Sequence, residues 1–299
     1  MDSIFRSATP GDFSTLITLL DNEFIHGKGR RISLADRFPA VYCLDNLKNL
    51  YVAEEAGTLV SELAIRQFVW SDNGTNYRGA MLGGVCTSPY RRNEGWAGRL
   101  LAHATEMQAR NGTDFAVLWT ATPLFYARRG WILADRGLLG EGGQYIRDEI
   151  SDGIETFPAS CVDHAQIETL RRQNPGPMTL RHANSYRQIP PPAESVSCLL
   201  YRGDRGQAGY AMAGMGNETV ILYEMIGSPE SFRVLWQKIC SMAKRILVND
   251  HPDNASYQWL TVHAEITWHT RPLAMWNMLS SKARAQEPAK WYVPYFDRI

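Results

Sequence analysis

The segment VCTSPYRRNEGWAGRLL, residues 85–101, joins an apolar run to an amphipathic stretch. The run from Ala80 to Thr87 consists of small and apolar residues, which is typical of a buried strand. From Trp96 to Arg110 apolar residues recur at helical spacing, and Asn111-Gly112 then supplies a helix stop signal. The segment therefore predicts a strand, a loop and a helix in succession.

The loop between this strand and this helix carries two arginines and a glycine. Backbone N–H groups at a helix start, with the positive end of the helix dipole, form a binding site for anions. Arg91 and Arg92 would donate charge-assisted hydrogen bonds to phosphate, and Gly95 and the small pair Ala97-Gly98 would permit close approach. The alternative is a turn with a solvated charge pair. Neither GxxxxGK[ST] nor GxGxxG is present, so the loop is not a P-loop or a dinucleotide fingerprint.

The composition bounds the class of protein. A length of 299 residues predicts two domains, and hydrophobic and charged fractions of 44% and 21% are those of a globular protein. The formal net charge of zero gives no reason to expect nucleic acid or an anionic membrane as partner. Five cysteines without a CxxC pair favour reduced thiols, and the N-terminal stretch lacks the apolar region of a signal peptide. We therefore expect a cytoplasmic protein that has no membrane segment.

Several local patterns predict further elements. Gly83-Gly84 inside the apolar run indicates a β-bulge or a close approach of backbone. Pro229 to Ile246 is predicted to be a helix with Ser228 as its cap. Tyr257 to Ala264 is predicted to be a strand, and Pro272 to Leu279 a short helix.

Two motifs together resemble those of the GNAT superfamily of N-acetyltransferases. The order Arg92-x-x-Gly95-x-Ala97, between a strand and a helix, resembles its acetyl-CoA pyrophosphate loop. Downstream, PLFYARRGW at residues 123–131 resembles its FY-x-x-x-G-[FYW] signature. The resemblance covers roughly the first half of the chain. It implies an α/β fold with a mixed twisted sheet flanked by helices, and the transfer of an acetyl group from acetyl-CoA to a primary amine.

The second half, with LYEMIGSPESFRVLWQKI at residues 222–239, is similar to the enhanced-intracellular-survival (Eis) family. That family has tandem GNAT-like domains, a third sterol-carrier-like domain and a hexameric assembly. The resemblance implies a catalytic domain at 1–150 and a degenerate GNAT-like domain at 151–299, with a boundary near residues 147–158. Gly227 to Glu230 puts an acid where the first domain has arginines, so we expect no CoA binding there.

The resemblance also implies roles for individual residues. The backbone of Val85, Cys86 and Thr87 would pair with the pantetheine arm and polarise the thioester carbonyl. The pyrophosphate would lie on eight consecutive residues: Arg91, Arg92, Asn93, Glu94, Gly95, Trp96, Ala97 and Gly98. Tyr126 would protonate the departing sulfur, although a half-buried core tyrosine is the alternative. Cys86 has no paired base in the sequence pattern, so it is not predicted to be a nucleophile.

The general base remains open at this stage. Four side chains are candidates, along with a chain of water molecules: Asp21, Glu23, His26 and Glu62. In the Eis family the terminal carboxylate of the chain accepts the proton. That role is not transferred here, because we expect this chain to lack a counterpart of the third domain.

The acceptor and the assembly are also left open. The acceptor is a small amine, an aminoglycoside-like compound or a protein lysine, and a homo-oligomer is possible. A non-catalytic acyl-CoA sensor or interaction module is the rival function. His263, Glu265 and His269 do not follow the spacing of a zinc site, so no metal is predicted.

Overall fold

A computed structural model of the chain describes residues 3–72, 74–142, 153–173, 178–203, 208–270, 273–287 and 291–299. The chain divides into two compact units: the first is Met1–Ala134, Leu273–Pro288 and Ile299, and the second is Asp135–Pro272 and Ala289–Arg298. Neither unit is one continuous stretch of the chain, because Leu273–Pro288 and Ile299 belong to the first unit. The boundary predicted near residues 147–158 falls partly outside the described residues. None of the described helices combines the length and hydropathy that a membrane span requires.

The first unit contains strands and helices from both ends of the chain. Its elements are β1 (Ser3–Ser7), α1 (Phe13–Phe24), α2 (Leu34–Arg37), β2 (Leu50–Glu55), β3 (Thr58–Asp72), β4 (Thr75–Thr87), α3 (Trp96–Arg110), β5 (Phe115–Trp119), α4 (Pro123–Ala127), β6 (Ile132–Leu133), β15 (Ala274–Met278) and α8 (Ser281–Arg284).

These strands form a mixed sheet in the order β1-β2-β3-β4-β5-β15-β6. The pair β4–β5 is parallel, and α3 is the crossover between them, whereas the other neighbours are antiparallel. Alternate residues of β3 face opposite sides: Leu63 packs in the core with α3, and Ala64 packs in the core with α1. The sheet therefore has a hydrophobic core on each face.

Strands β4 and β5 separate along their length. They pair from Gly79↔Phe115 to Met81↔Val117, and the rest of β4, from Leu82 to Thr87, extends past the last of these pairs. This half of β4 pairs with β3 on its other edge. Backbone groups on the β5-facing edge of β4 are therefore left available at an opening in the sheet.

A β-bulge lies in β4 beside this opening. The register shifts between Glu62↔Cys86 and Ala64↔Gly83, and Gly84 has a φ of +62°. The extra residue reverses the side-chain alternation, so Leu82 packs with the α3-side core whereas Cys86 packs with the α1-side core. This confirms the predicted bulge.

Both glycines at the bulge are in close contact with neighbouring atoms. A Cβ at Gly84 would overlap the Tyr42 hydroxyl, and one at Gly83 would lie 3.0 Å from Ile299 Cγ1. The close approach of backbone that the sequence predicted is therefore also present.

The second unit is built in the same way. Its elements are β7 (Leu138–Gly142), β8 (Ile154–Pro158), α5 (His164–Arg172), β9 (Met178–Leu180), β10 (Ser195–Arg202), β11 (Ala208–Gly216), β12 (Thr219–Ile226), α6 (Pro229–Met242), β13 (Arg245–Asp250), α7 (Ala255–His263) and β14 (Ile266–Thr270). Its sheet has the order β14-β7-β13-β12-β11-β10-β8, in which β12–β13 is the parallel pair. The predicted fold class, an α/β chain with two mixed sheets flanked by helices, is thus confirmed.

Three local predictions in this half of the chain were wrong in part. The segment Tyr257 to Ala264 lies in helix α7 and its C-cap. The buried residues of this helix, Ser256 and Leu260, are four apart, and the aromatic residues misled the strand prediction. The segment Pro272 to Leu279, whose first residue lies outside the described residues, contains strand β15 and not a helix. This strand pairs on both edges, and its residues Ala274, Met275 and Trp276 are buried. Helix α6 has the predicted cap, Ser228, but ends at Met242, because the last predicted turn is the start of β13.

Candidate active site of the first unit

The loop between β4 and α3 has the backbone conformation of an anion site. Asn93 and Gly95 have φ values of +67° and +80°, and Gly95 caps the N-terminus of α3. Beyond its chain neighbours, no atom of the described residues lies within 4 Å of a Cβ added at Gly95, so this glycine is needed for its conformation and not for space. The first N–H groups of a helix have no partner within the helix, so those at the start of α3 are able to bind an anion.

The two loop arginines have different partners. Arg91 forms ion pairs with Glu55 and Glu94 at 2.5 and 2.8 Å, and Glu94 also accepts a hydrogen bond from Trp96 Nε1 at 2.9 Å. These side chains therefore satisfy one another. Any contribution of residues 91, 94 and 96 to an anion comes from their backbone.

Arg92 is held less firmly. Its Nη2 lies 2.5 Å from Glu23 Oε2 at the end of α1, and the two side chains are 48% and 38% exposed. An ion pair this exposed contributes little to stability, so a phosphate group can take over the guanidinium at small cost. Of the two loop arginines, Arg92 therefore has the more exposed side chain and only one carboxylate partner among the described residues, whereas Arg91 has two.

A further guanidinium lies against α3 and was missed by the sequence prediction. A Cβ at Gly98 would overlap Arg129 Nη2 and lie 2.9 Å from its Cζ. Arg129 is fixed by a 2.6 Å hydrogen bond from Nη1 to the Phe125 carbonyl and by stacking on the Phe125 ring. The signal was its place directly before Gly130 in the second motif, but the long-range contact with α3 is a tertiary feature.

Tyr126 lies on α4 in the core that α3 covers. It is 7% exposed and packs edge-on against Phe125 and Trp131, with ring centroids 4.9 and 6.0 Å away. Burial raises the pKa of its phenol to about 12, although Arg129 acts in the opposite direction. The phenol is therefore fully protonated at neutral pH and has a proton to donate.

The strand residues predicted to bind pantetheine lie at the bulge and beyond it. The hydroxyl of Ser61 donates to the Cys86 carbonyl at 2.6 Å and lies 3.0 Å from Thr87 Oγ1, which fixes this end of β4 to β3. Burial and the neighbouring Glu62 raise the pKa of the Cys86 thiol far above its ordinary value. Cys86 is thus a neutral thiol, as expected of a residue that is not a nucleophile.

The four candidate bases have different environments. Asp21 accepts a hydrogen bond from the Leu34 backbone at 2.9 Å and so joins α1 to α2. Glu23 pairs with Arg92, and His26 is exposed in a 3₁₀ turn after α1. Glu62 is 1% exposed, and burial raises the pKa of its carboxyl well above the ordinary value, with a smaller opposing effect from the Cys86 thiol. Glu62 is the buried one of the four, and a buried carboxyl with a raised pKa is common at functional sites.

The raised pKa of Glu62 predicts a pH-dependent stability. Because the folded pKa lies above the unfolded value of 4.5, the stabilisation from this group is complete below about pH 4.5 and is lost as pH rises through the folded pKa. The free energy of unfolding of wild type relative to Glu62→Gln should therefore fall with pH, by about 1.4 kcal/mol for each pH unit between the two pKa values. Urea unfolding from pH 4.5 to 8 measures this difference, and a constant difference would contradict it. The exposed Glu106→Gln is the control.

The bulge itself predicts a mutational effect. Gly84→Ala should destabilise the protein by about 3 kcal/mol, since an L-residue at this φ costs about 1–2 kcal/mol and overlap with Tyr42 adds the rest. Gly57→Ala is a matched control, because Gly57 has a φ of +78° but open space around it. Its cost should be only the conformational one. Thermal or urea unfolding measures both, and equal effects would show that the contact with Tyr42 is unimportant.

The equivalent region of the second unit differs from this site. Strands β12 and β13 pair up to Leu222↔Val248, and beyond this point Tyr223 stacks on Tyr295 at 5.6 Å. At the start of α6, the Ser228 hydroxyl accepts a hydrogen bond from the Ser231 N–H at 3.2 Å, and Glu230 pairs with Arg233. The start of α6 therefore has a serine cap and an acidic side chain where α3 has Gly95, and the absence of CoA binding in this unit stays a prediction. In the described part of the chain no three His, Cys, Asp or Glu side chains are grouped as for a metal ion.

Comparisons with known proteins agree with this architecture. Residues 5–134 match the family described as an acetyltransferase (GNAT) domain. A GCN5-related N-acetyltransferase from Anabaena variabilis is similar over 93% of this chain and 73% of its own, with a TM-score of 0.73 and 16% identity. Eis1 from Mycobacterium abscessus is similar over 94% and 75%, with a TM-score of 0.64 and 12% identity.

A tandem GNAT protein from the clavulanic acid biosynthesis pathway is similar over 93% of this chain and 99% of its own, with a TM-score of 0.55 and 12% identity. Among curated protein sequences there is no significant match. Residues 5–134 therefore form a GNAT acetyltransferase domain, and the whole chain has a fold that tandem GNAT proteins share.

Proposed function

We propose that the first unit transfers the acetyl group of acetyl-CoA to a primary amine. The observation that carries this proposal is the opening between β4 and β5, with the Gly95 loop and Tyr126 in the same unit. The opening offers unpaired backbone groups to an extended amide-containing arm, and the helix start offers N–H groups to a pyrophosphate. The five free cysteines support the predicted cytoplasmic location.

Each part of the site has a role in this proposal. Acetyl-CoA supplies a thioester, an activated acyl group. The backbone of Val85, Cys86 and Thr87 orients the arm and polarises the thioester carbonyl. The backbone from residue 91 to residue 98 and the Arg92 guanidinium bind the pyrophosphate. Tyr126 donates a proton to the departing sulfur.

Arg92 and Arg91 provide a matched pair of variants. Arg92→Gln should raise KM for acetyl-CoA about 10- to 100-fold, because a charge-assisted hydrogen bond contributes about 1.5–3 kcal/mol. Arg91→Gln should change KM far less, since its side chain is already paired with Glu55 and Glu94. Steady-state kinetics with varied acetyl-CoA measures both values. Equal effects of the two substitutions would contradict the assignment.

Thiol release from acetyl-CoA tests the function itself. We expect acetyl-CoA to raise the melting temperature of the protein and a primary amine to trigger thiol release. A panel of a polyamine, an aminoglycoside and a lysine peptide identifies the class of acceptor. Stabilisation by acetyl-CoA without turnover for any amine would favour the alternative function, a non-catalytic acyl-CoA sensor. No stabilisation by acetyl-CoA would refute both functions.

A further inference from the structure

We propose that the Glu62 carboxylate accepts the proton of the acceptor amine in the first unit, an inference that rests on the proposed acetyl transfer. Glu62 lies on β3 directly opposite Cys86, the central residue of the β4 segment that faces the opening. Residues directly opposite each other in an antiparallel pair point to the same face, so the Cys86 and Glu62 side chains meet on one face of the sheet. A group at this position is one strand away from the expected thioester.

The hydrogen bonding of Glu62 is incomplete. Its Oε1 accepts a hydrogen bond from the Cys86 thiol at 3.6 Å, whereas its Oε2 is fully buried and has no partner among the described residues. An unsatisfied buried carboxyl oxygen is destabilising, and such groups usually have a ligand, a water molecule or a function. The ammonium group of a bound acceptor amine would supply the hydrogen-bond donor that Glu62 Oε2 lacks.

Among the residues that the structure describes, no cation pairs with Glu62. The thiol of Cys86 on β4 and the phenol of Tyr42 are buried beside it, and burial raises the pKa of both, so both are neutral. From α1, Asp21 is fixed to Leu34 and Glu23 is paired with Arg92 of the loop. Arg92 acts on the neighbouring Cys86 thiol, but no described cation acts on the pKa of the Glu62 carboxyl itself.

Glu62 and Tyr126 lie on opposite faces of the sheet. The neighbours of Glu62, which include Cys86 and Ala64, belong to the core covered by α1, and Tyr126 belongs to the core covered by α3. Both faces meet the edge of β4 along which its pairing with β5 has ended. An acid and a base placed in this way can act on the leaving group and on the nucleophile of one acyl carbon.

The proposed step balances in protons and electrons. Ionised Glu62 takes a proton from the alkylammonium, and the freed lone pair of nitrogen forms a bond to the acetyl carbon. The C–S bond breaks, its electron pair leaves on sulfur, and Tyr126 donates a proton to that sulfur. The Tyr126 phenolate then recovers a proton from the nitrogen, and Glu62 releases its own proton to solvent. The products are an amide, a thiol and one proton.

Amines of different basicity test this assignment with Glu62→Gln. For an alkyl amine, which is protonated at neutral pH, kcat/KM should fall about 10²-fold or more. For methoxyamine, which is already neutral, it should fall no more than a few-fold. Acetyl-CoA should stabilise the variant as it does wild type. In wild type kcat/KM for the alkyl amine should rise with pH as Glu62 ionises, and in Glu62→Gln this rise should be absent. The exposed Glu106→Gln should match wild type throughout.

The outcomes separate the proposal from its alternatives. An unchanged kcat/KM for the alkyl amine, or an equal loss for both amines, would overturn the role of Glu62 and leave the acetyltransferase function standing. No amine-dependent thiol release by wild type would refute the function and this assignment together. If glutamine at this position prevents folding, Glu62→Asp, which withdraws the carboxyl by one methylene, should show the same selective loss, and an equal loss for both amines would again overturn the proposal.

Discussion

Tyr126→Phe is expected to reduce kcat about 10²- to 10⁴-fold, the usual contribution of a general acid, and to leave the affinity for acetyl-CoA unchanged. The phenylalanine ring retains the edge-on contacts with Phe125 and Trp131, so the fold of the site should be preserved. What is lost is a proton donor that burial keeps fully protonated at neutral pH. Single-turnover kinetics and calorimetric titration with acetyl-CoA measure the two quantities separately.

The control for this variant is Tyr257→Phe on α7 of the second unit, where a tyrosine packs edge-on against Trp268. It should have wild-type kcat. If Tyr126→Phe also had wild-type kcat, Tyr126 would be a core tyrosine and the leaving sulfur would obtain its proton elsewhere. If a lower affinity for acetyl-CoA explained the entire loss of activity in Tyr126→Phe, Tyr126 would have a role in binding and not in proton transfer.

Arg181→Met is expected to destabilise the second unit by about 3–5 kcal/mol, the typical cost of removing one partner from a buried ion pair. The Arg181 side chain is 0% exposed and binds Asp297 through Nε and Nη2 at 2.7 and 2.9 Å, and it also pairs with Glu224. Burial alone would raise the pKa of Glu224, but Arg181 and Arg171 outweigh it and the pKa is lowered. Without Arg181, two buried carboxylates lose their main cation.

Arg202→Met is the matched control in the same unit. Arg202 pairs with Glu155 at 3.7 Å, and these side chains are 54% and 62% exposed, so its removal should cost at most about 1 kcal/mol. Urea unfolding followed by tryptophan fluorescence measures both variants. If the free energy of unfolding of Arg181→Met were within about 1 kcal/mol of the wild-type value, the buried carboxylates would be stabilised by other groups.

The sequence predicted the parts of the site that local chemistry determines. Gly95 is needed for a positive φ at a helix start, and the Gly83-Gly84 pair marks the bulge, so both are recognisable without a structure. The helix start after β4 and the short helix that carries Tyr126 also follow from local signals. The roles that the resemblance implies for these residues in binding acetyl-CoA remain predictions.

Features that depend on distant residues were not predicted. Strand β15 pairs with β5 from more than half the chain away, and its sequence contains no sign of that partner. The contact of Arg129 with Gly98 joins two motifs that lie about 30 residues apart, and neither motif alone indicates that the two residues meet. Glu62 was one of four equivalent candidates until its burial, its orphan oxygen and its place opposite Cys86 distinguished it.

A crystal structure of the protein with CoA tests the central claim most directly. We expect one CoA in the first unit, with its pyrophosphate on the N–H groups from Gly95 to Gly98, a phosphate contact from Arg92, and its sulfur within hydrogen-bonding distance of Tyr126 Oη. CoA bound instead at the start of α6 in the second unit, or with its sulfur remote from Tyr126, would contradict the claim.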